Sequence, residues 1–400
     1  MSGGLDAVPR GFLFSAVSCG IKRQAGELDL ALVFSEVPAS VAGVFTTNRV
    51  AAAPVLLDRE RLSRGTCRGI LANAGCANAC TGPEGYRDAL QSTQWMAQAL
   101  GIVPEEVLVA STGVIGTRLP MDRLREGIPH LARGLDASRL EEVARAIMTT
   151  DTRPKWTSRK ATLEGAEVRM AAVVKGAGMI HPRMATMLCF VVTDAHVGSS
   201  TLQRFLVESL DSSFHSITVD GDTSTNDTLL VLANGACGGE PILEGSESAR
   251  EFQQMLREVL EEMAMEVVRD AEGATKLVHV LVEGATSDSW ADKVARSIAH
   301  SPLVKTAFYG QEVNWGRIVA AAGYSGAPLE PDRIDLWYGD VQVLRGGRPL
   351  GEHSEKRAVE VAKRGEFTIR IGLGLGQGRA LIHTCDLSHG YVTINGSYRS

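Results

Sequence analysis

The sequence predicts an α/β protein, and three observations carry that reading. Strand-like apolar runs recur at Asp29–Ser35, Val41–Thr46, Gly69–Asn73, Val107–Ser111, Val168–Val174, Met187–Thr193 and Thr228–Ala233. Between them lie amphipathic helical stretches, the clearest at Ser248–Asp270, where Phe252, Met255, Leu256, Val259, Leu260, Met263 and Val267 share one face. The 42 glycines among 400 residues exceed the usual share of about 7%, which suits tight turns and backbone-lined sites better than a helical bundle.

Along the chain, Gly11–Ser18 reads as the first strand. The run imitates a lipoprotein signal ahead of Cys19, with Arg10 as its positive flank, but Asp6 spoils the basic region and the apolar stretch is very short. Helices are expected at Gly85–Leu100, Pro120–Arg133 and Ala137–Met148, and Gly273 is expected to end the 248–270 helix. After residue 285 the character changes. A helix at Ala291–Ala299 leads to a strand at Val304–Tyr309 and a helix at Trp315–Ala322. Strands at Asp335–Tyr338 and Val341–Leu344, a charged helix at Glu352–Lys363 and strands at Glu366–Leu373 and Arg379–Thr384 complete a second α/β domain. The expected division is therefore 1–285, a catalytic domain, and 286–400, a smaller α/β domain.

Composition excludes several function classes. Hydrophobic content of 44% and charged content of 22% are those of a globular enzyme. A net charge of −6 without a basic stripe argues against nucleic acid as a partner. No run of 18 apolar residues is present, so no membrane span is expected. Seven scattered cysteines fit a reducing compartment, hence a cytoplasmic protein. Cys76 and Cys80 form the one close pair and lack a second pair at ligand spacing, so no metal site is expected. Gly372-Leu-Gly-Leu-Gly-Gln-Gly378 alternates its glycines as a strand approached closely by other backbone would, rather than as a dinucleotide-binding turn, and no cofactor is implied. Asp220–Asp227 superficially suggests a calcium loop, but Thr225 and Val231 stand where that loop needs glycine and glutamate, which leaves a hydrogen-bonded structural loop.

Two segments carry chemistry. Lys175-Gly-Ala-Gly-Met-Ile-His-Pro-Arg-Met-Ala-Thr186 is a glycine-rich loop ending in an Ala-Thr pair at the start of an apolar strand. Gly176 and Gly178 permit unusual dihedrals while the strand holds Thr186 in place. If the chain were cut before Thr186, that residue would carry a hydroxyl and a free α-amine with a pKa of about 7.7–8.0. The amine then serves as base for its own side chain. The plain alternative is a β-forming threonine with a satisfied hydroxyl. Ser111-Thr-Gly-Val-Ile-Gly116 follows a strand, and such a turn directs N–H groups and a hydroxyl towards an oxyanion. The plain alternative there is an ordinary strand-to-loop turn.

Together with Val44–Asn48, Asn73–Gly82, Met148–Lys155, Thr218–Thr228, Asp270–Lys276, Ser301–Ala307, Asn314–Ile318 and the tail Asp386–Ser400, these segments resemble, in order and along the whole chain, the bifunctional arginine-biosynthesis acetyltransferases (ornithine acetyltransferase, or glutamate N-acetyltransferase). The resemblance implies a layered α/β sandwich with a smaller C-terminal α/β domain whose tail returns to the active site. It implies self-cleavage between Ala185 and Thr186, after which Thr186 carries the acetyl group. It assigns Thr112 and Gly113 to the oxyanion hole, and Thr149, Lys175, Thr186, Glu272, Asn395 and Ser400 to substrate binding. The implied reaction moves acetyl from N2-acetyl-L-ornithine to L-glutamate, within an α2β2 heterotetramer of the two cut chains. Acetyl-CoA is left open as a further co-substrate, since no CoA-binding signature is present.

Lys175 is expected to pair with a carboxylate and Glu272 with an ammonium group. The plain readings are a surface ion pair for those two, a turn cap for Asn395 and a frayed end for Ser400. Tyr391, Val392 and Ile394 read as strand formers, and Tyr398 as an apolar anchor that ties the tail down. His181, Arg183, Ala177 and Ser400 depart from the family pattern, Ser400 keeping the hydroxyl of the more frequent threonine. Two rival functions use the same residues: an aminopeptidase or amidase of similar fold in which water removes the acyl group, and an uncleaved, non-catalytic binding protein.

Overall fold

The computed structural model describes residues 7–22, 24–163, 165–181 and 187–397, and they form two compact units. The first holds residues 7–215 and 222–267; the second holds 216–221 and 268–397. Its elements run β1 (Phe12–Val17), β2 (Leu30–Phe45), α1 (Ala53–Leu62), β3 (Thr66–Cys76), α2 (Gly82–Leu100), β4 (Val107–Val114), α3 (Met121–Arg133), α4 (Leu140–Ala146), β5 (Lys155–Leu163), β6 (Ala166–Lys175), β7 (Leu188–Thr193), α5 (Ser199–Leu210), β8 (Thr228–Ala233) and α6 (Glu247–Arg269).

The strands make one sheet in the order β4-β3-β2-β8-β7-β6-β5, with β1 beside β2. The 16-residue β2 organises it. Its first half pairs with β1 and β3, the register shifts between Phe34 and Ala39, and its second half pairs with β8. Alternation along β2 divides the core: Ala31 and Val33 join residues of β1, β3, β4, β6, β7 and β8 in a shared interior with α4, whereas Leu30, Leu32 and Phe34 pack with Leu57, Met96 and Ile128 of α1, α2 and α3. Strands and helices thus form layers, and β7 and β8, each buried along its whole length, lie in the middle. Three elements were not expected: α1, α5 and β5. Lys155–Leu163 mixes polar and apolar residues because β5 is an edge strand paired with β6 alone.

The second unit contains β9 (Leu277–Ala285), α7 (Asp288–His300), α8 (Pro302–Tyr309), α9 (Trp315–Gly323), β10 (Asp335–Tyr338), β11 (Val341–Arg345), β12 (Arg348–Pro349), α10 (Glu352–Ala362), β13 (Glu366–Gly372), β14 (Gly378–Cys385) and α11 (His389–Ser397). Its sheet order is β12-β11-β10-β13-β9-β14, and the apolar faces of β9, β10 and β13 pack on α7, α8, α9 and α10.

Several expectations change here. The division falls near 267 rather than 285, because β9 pairs with β13 and β14 and belongs to the second sheet. Residues 216–221 also belong to that unit, where Ile217 bridges His383. Val304–Tyr309 is helical, not extended: Ser301 caps α8 by accepting from Val304 N, and Pro302 occupies its first turn. The tail is likewise a helix, α11. Gly273 sits in a turn beyond α6 (φ 66°), and a Cβ there would come within 2.4 Å of Tyr391 N. The Gly372–Gly378 run is not one strand but the crossing between β13 and β14. A Cβ on Gly378 would lie 2.2 Å from the Ser287 carbonyl carbon, so the close backbone approach is real. Gly378→Ala is therefore expected to destabilise the second unit by about 1–3 kcal/mol, read as a lower urea midpoint with an unchanged slope.

Candidate active site

Strand directions bring several functional side chains to one edge of the larger sheet. Strand β6 runs antiparallel to β7 and β7 parallel to β8, so the end of β6 lies beside the starts of both: Lys175 pairs with Leu188, and Leu188 with Thr228. Lys175 is buried at 3% exposure. Its Nζ donates to Thr149 Oγ1 at 2.7 Å and to Thr112 Oγ1 at 3.2 Å. A Thr112 hydroxyl that accepts from an ammonium group keeps its own proton to donate, and is polarised to do so.

Thr112 and Gly113 lie near the end of β4, where the ladder with β3 is irregular: Cys76 pairs with both Thr112 and Val114. Gly113 has φ 128°, and a Cβ there would meet the Gly75 carbonyl carbon at 2.4 Å and Cys76 N at 2.6 Å. Only glycine fits, and the kink turns the backbone away from regular pairing. The strand is fastened from beneath. Ser111 Oγ donates to Asn73 Oδ1 (2.7 Å), and Asn226 Nδ2 donates to Ser111 O (2.8 Å) and Ala77 O (2.6 Å).

Asp151, unmarked in the sequence reading, organises the other side. Its Oδ1 accepts from Lys155 Nζ (2.6 Å) and Gly176 N (2.8 Å), and its Oδ2 from Thr149 N (3.0 Å). Burial works to raise this carboxyl's pKa, but the charges of Lys155 and Lys175 outweigh it and hold the pKa at about 2. Asp227, immediately before β8, is also fully buried and accepts from Met187 N at 3.1 Å. Burial pushes its carboxyl well above the usual range, against the Met187 N–H bond and the Lys175 charge. The signal for both was available as a carboxylate set among small hydroxyl residues, and for Asp227 also by the apolar strand that follows at once. The 220–226 stretch is a bonded loop, as expected: Asn226 N donates to Ser224 Oγ, and Thr225 Oγ1 to Asn226 Oδ1.

Thr112, Gly113, Thr149 and Lys175 thus lie in the first unit. Ala185, Thr186, Arg183 and Ser400 lie outside the described residues. In the 175–181 loop a left-handed φ of 58° falls on Met179, a non-glycine residue, and Ala177 is buried. Neither Lys175 nor Glu272 is a surface group, so the plain surface ion pair does not hold.

Within the second unit, Glu272 and Asn395 meet. Asn395 Nδ2 donates to Glu272 Oε2 at 2.6 Å and to Tyr391 O at 3.1 Å. Tyr391 OH donates to Asp220 Oδ2 (3.2 Å), and Ser388 Oγ to Gly273 O (2.5 Å). Thr275 donates through N and Oγ1 to Asp386. The tail through Ser397 is fastened by these polar contacts, with Val392 66% exposed; Tyr398, the expected apolar anchor, lies outside the described residues.

A family model described as "ArgJ family" matches residues 13–400. The arginine biosynthesis bifunctional protein ArgJ of Geobacter sulfurreducens is 54% identical over 391 residues, spanning 98% of this chain and 99% of that protein. Its counterpart from Symbiobacterium thermophilum is 49% identical over 401 residues, 100% of this chain and 99% of that one. The crystal structure of arginine biosynthesis bifunctional protein ArgJ from Bacillus halodurans matches with a TM-score of 0.50 and 39% identity, covering 52% of this chain and 98% of that one.

The Asp151 network makes stability pH-dependent. A carboxyl whose pKa falls from 3.8 to about 2 on folding contributes stability that is fully present above pH 4 and lost as pH drops towards 2. The contribution is on the order of 2 kcal/mol. Asp151→Asn should lower stability at neutral pH, because it leaves Lys155 buried without its carboxylate. It should also flatten the acid limb of stability between pH 4 and 2, followed by urea unfolding at each pH.

Proposed function

The chain belongs to the ArgJ family, and from that premise we propose how its own residues carry out the acetyl transfer of arginine biosynthesis. The protein is an N-acyltransferase that moves acetyl from N2-acetyl-L-ornithine to L-glutamate. The observation that carries the mechanism is the buried Lys175–Thr112–Thr149 cluster at the sheet edge where β7 begins, two residues after Thr186.

The precursor cuts itself between Ala185 and Thr186. The Thr186 hydroxyl attacks the Ala185 carbonyl carbon, the peptide C–N bond breaks as an ester forms and its nitrogen becomes the free Thr186 amine. Water then hydrolyses the ester to release the Ala185 carboxylate and the Thr186 hydroxyl. A solved relative whose chain is 98% covered by a match taking up 52% of this one fits a molecule that ends as two half-length chains. In the mature enzyme the Thr186 amine takes the hydroxyl proton as the oxygen adds to the acetyl carbonyl of acetylornithine. Thr112 Oγ1–H and Gly113 N–H receive the oxyanion. The C–N bond then breaks, the proton passes to the departing ornithine amine, and acetyl-Thr186 remains. Glutamate's amine adds to that ester, and collapse expels the Thr186 oxygen, which regains its proton. Two half-reactions through one covalent intermediate give ping-pong kinetics.

Lys175 orients Thr112 and meets the substrate carboxylate, Glu272 and Asn395 hold its ammonium group, and Thr149 and Ser400 complete the binding set. The two chains remain associated, as an α2β2 assembly. The scattered cysteines, all free, suit the cytoplasm. Acetyl-CoA loads the same threonine if glutamate is acetylated when it is the sole donor.

Intact mass spectrometry tests the core of this. Wild-type protein should appear as chains 1–185 and 186–400, the second one acetyl group heavier after acetylornithine, and glutamate should discharge it faster than water does. Discharge by water alone would make the enzyme an amidase. Thr186→Ala should stay full-length and take up no acetyl; full activity in uncut protein would overturn the mechanism.

In processed protein, Lys175→Met should lower kcat by about 100-fold through loss of the oriented oxyanion donor, and Glu272→Gln should act mainly on KM. Wild-type kcat/KM for acetylornithine in either variant would remove that residue from the site. Deletion of residues 395–400 should reduce transfer strongly, with a much smaller change in the thermal midpoint, since α11 buries little apolar surface.

A further inference from the structure

We propose that the dipeptide Asn226-Asp227 is a positioning clamp that sets the distance between the nucleophile and the oxyanion hole, a role that rests on the reading of Thr186 as the nucleophile. The two neighbouring side chains grip two different strands. Asn226 holds the strand that carries Thr112, through the carbonyl of the preceding residue Ser111 (2.8 Å), and the chain leaving the end of the adjoining β3 through that of Ala77 (2.6 Å). Asp227 holds the amide of Met187 (3.1 Å), which is the nitrogen of the peptide group joining Thr186 to Met187. The main chain tightens the grip, since Thr228 N donates to Met187 O and Thr46 N to Asp227 O, both at 3.0 Å. A shift of either strand would therefore pull on the other through a single peptide unit.

The chemistry of Asp227 argues against a purely structural fastener. Its Oδ2 is buried without a hydrogen-bond partner of good geometry among the described residues, since the neighbouring Thr46 hydroxyl donates to Ser224 O. Burial outweighs what the Thr46 and Ser224 hydroxyls contribute to the ionised form. An ionised carboxylate so placed is costly. A neutral carboxyl keeps the Oδ1 acceptor for Met187 and lowers the cost at Oδ2. The raised pKa noted above agrees with the neutral form. The side-chain amide of asparagine is the isostere of that neutral acid, which makes the inference testable.

The test compares Asp227→Asn, Asp227→Ala and Asp227→Ser with wild type and with Thr186→Ala, reading self-cleavage by intact mass, transfer kinetics in the cut fraction, and cooperativity of thermal unfolding. Asp227→Asn should cut and turn over at close to the wild-type rate. The two shorter side chains, unable to reach the Met187 amide, should cut slowly and lose kcat, by up to about 100-fold for misplacement near 1 Å, with KM little changed. Three results would overturn the clamp: wild-type rates in both truncated variants, impairment of Asp227→Asn equal to theirs, or loss of cooperative unfolding in Asp227→Ser as well as Asp227→Ala, which would make the carboxyl a core fastener. Thr186→Ala separates this from failure of the underlying reading. If that variant still cuts and transfers, the nucleophile assignment falls; if it is inert while Asp227→Ala behaves as wild type, only the clamp falls.

Discussion

A buried ammonium group is the constraint on which the larger unit's chemistry depends. Lys175 ends β6 beside the wholly apolar start of β7, and its charge is tolerable there only because hydroxyl and carboxylate oxygens surround it. Thr112 and Thr149 accept directly from Nζ, and Asp151 supplies compensating charge. Asp151 is itself held ionised between Lys155 and Lys175 while it ties down Thr149 N and Gly176 N. The Lys175 ammonium group is thereby held beside the Thr112 hydroxyl, and a donor oriented in advance costs no rearrangement during a reaction.

Backbone geometry does the remaining work. Gly113 reaches a φ of 128° with the Gly75 backbone so close that no Cβ fits, and the β3–β4 ladder slips at that point. Thr112 and Gly113 still face Ala74 and Gly75, but Cys76 faces both Thr112 and Val114, so the regular parallel ladder breaks at this point. Asn73, Ser111 and Asn226 secure the strand just below the slip, so local irregularity does not become mobility. In the second unit, Gly273 allows the backbone of α11 to approach closely, and side-chain bonds from Ser388, Tyr391 and Asn395 replace the apolar packing that usually fastens a terminal helix.

Apolar runs were enough to locate both halves of β2, and β3, β4, β6, β7 and β8, because strands buried on both faces must be apolar throughout, and the single apolar stripe located α6. Motif order along the whole chain was enough for the family, and with it the acetyl transfer. In the smaller sheet β10, β11, β13 and β14 were legible from alternating apolar residues, whereas β9 and β12 were not expected.

Tertiary structure decided what depends on partners distant in sequence. Val304–Tyr309 looked extended because its composition favours strands, yet the Ser301–Pro302 cap and the buried bonds of Lys305 to Thr384 and Cys385 make it a helix. The tail residues Tyr391, Val392 and Ile394 favour strands locally, but α11 forms with its polar side chains bonded to its own carbonyls and to Glu272. Asp151 and Asp227 have the same residue type and comparable burial, and still titrate in opposite directions. Lys155 and Lys175 hold the first ionised, whereas burial prevails at the second, whose Oδ2 has no hydrogen-bond partner of good geometry among the described residues. Which lysine stands beside which carboxylate is a property of the assembled sheet. The sequence by itself determined the residue types, the strands that carry them and the reaction class; the fold decided which charges are neighbours, because electrostatic interaction depends on distance in space and not along the chain.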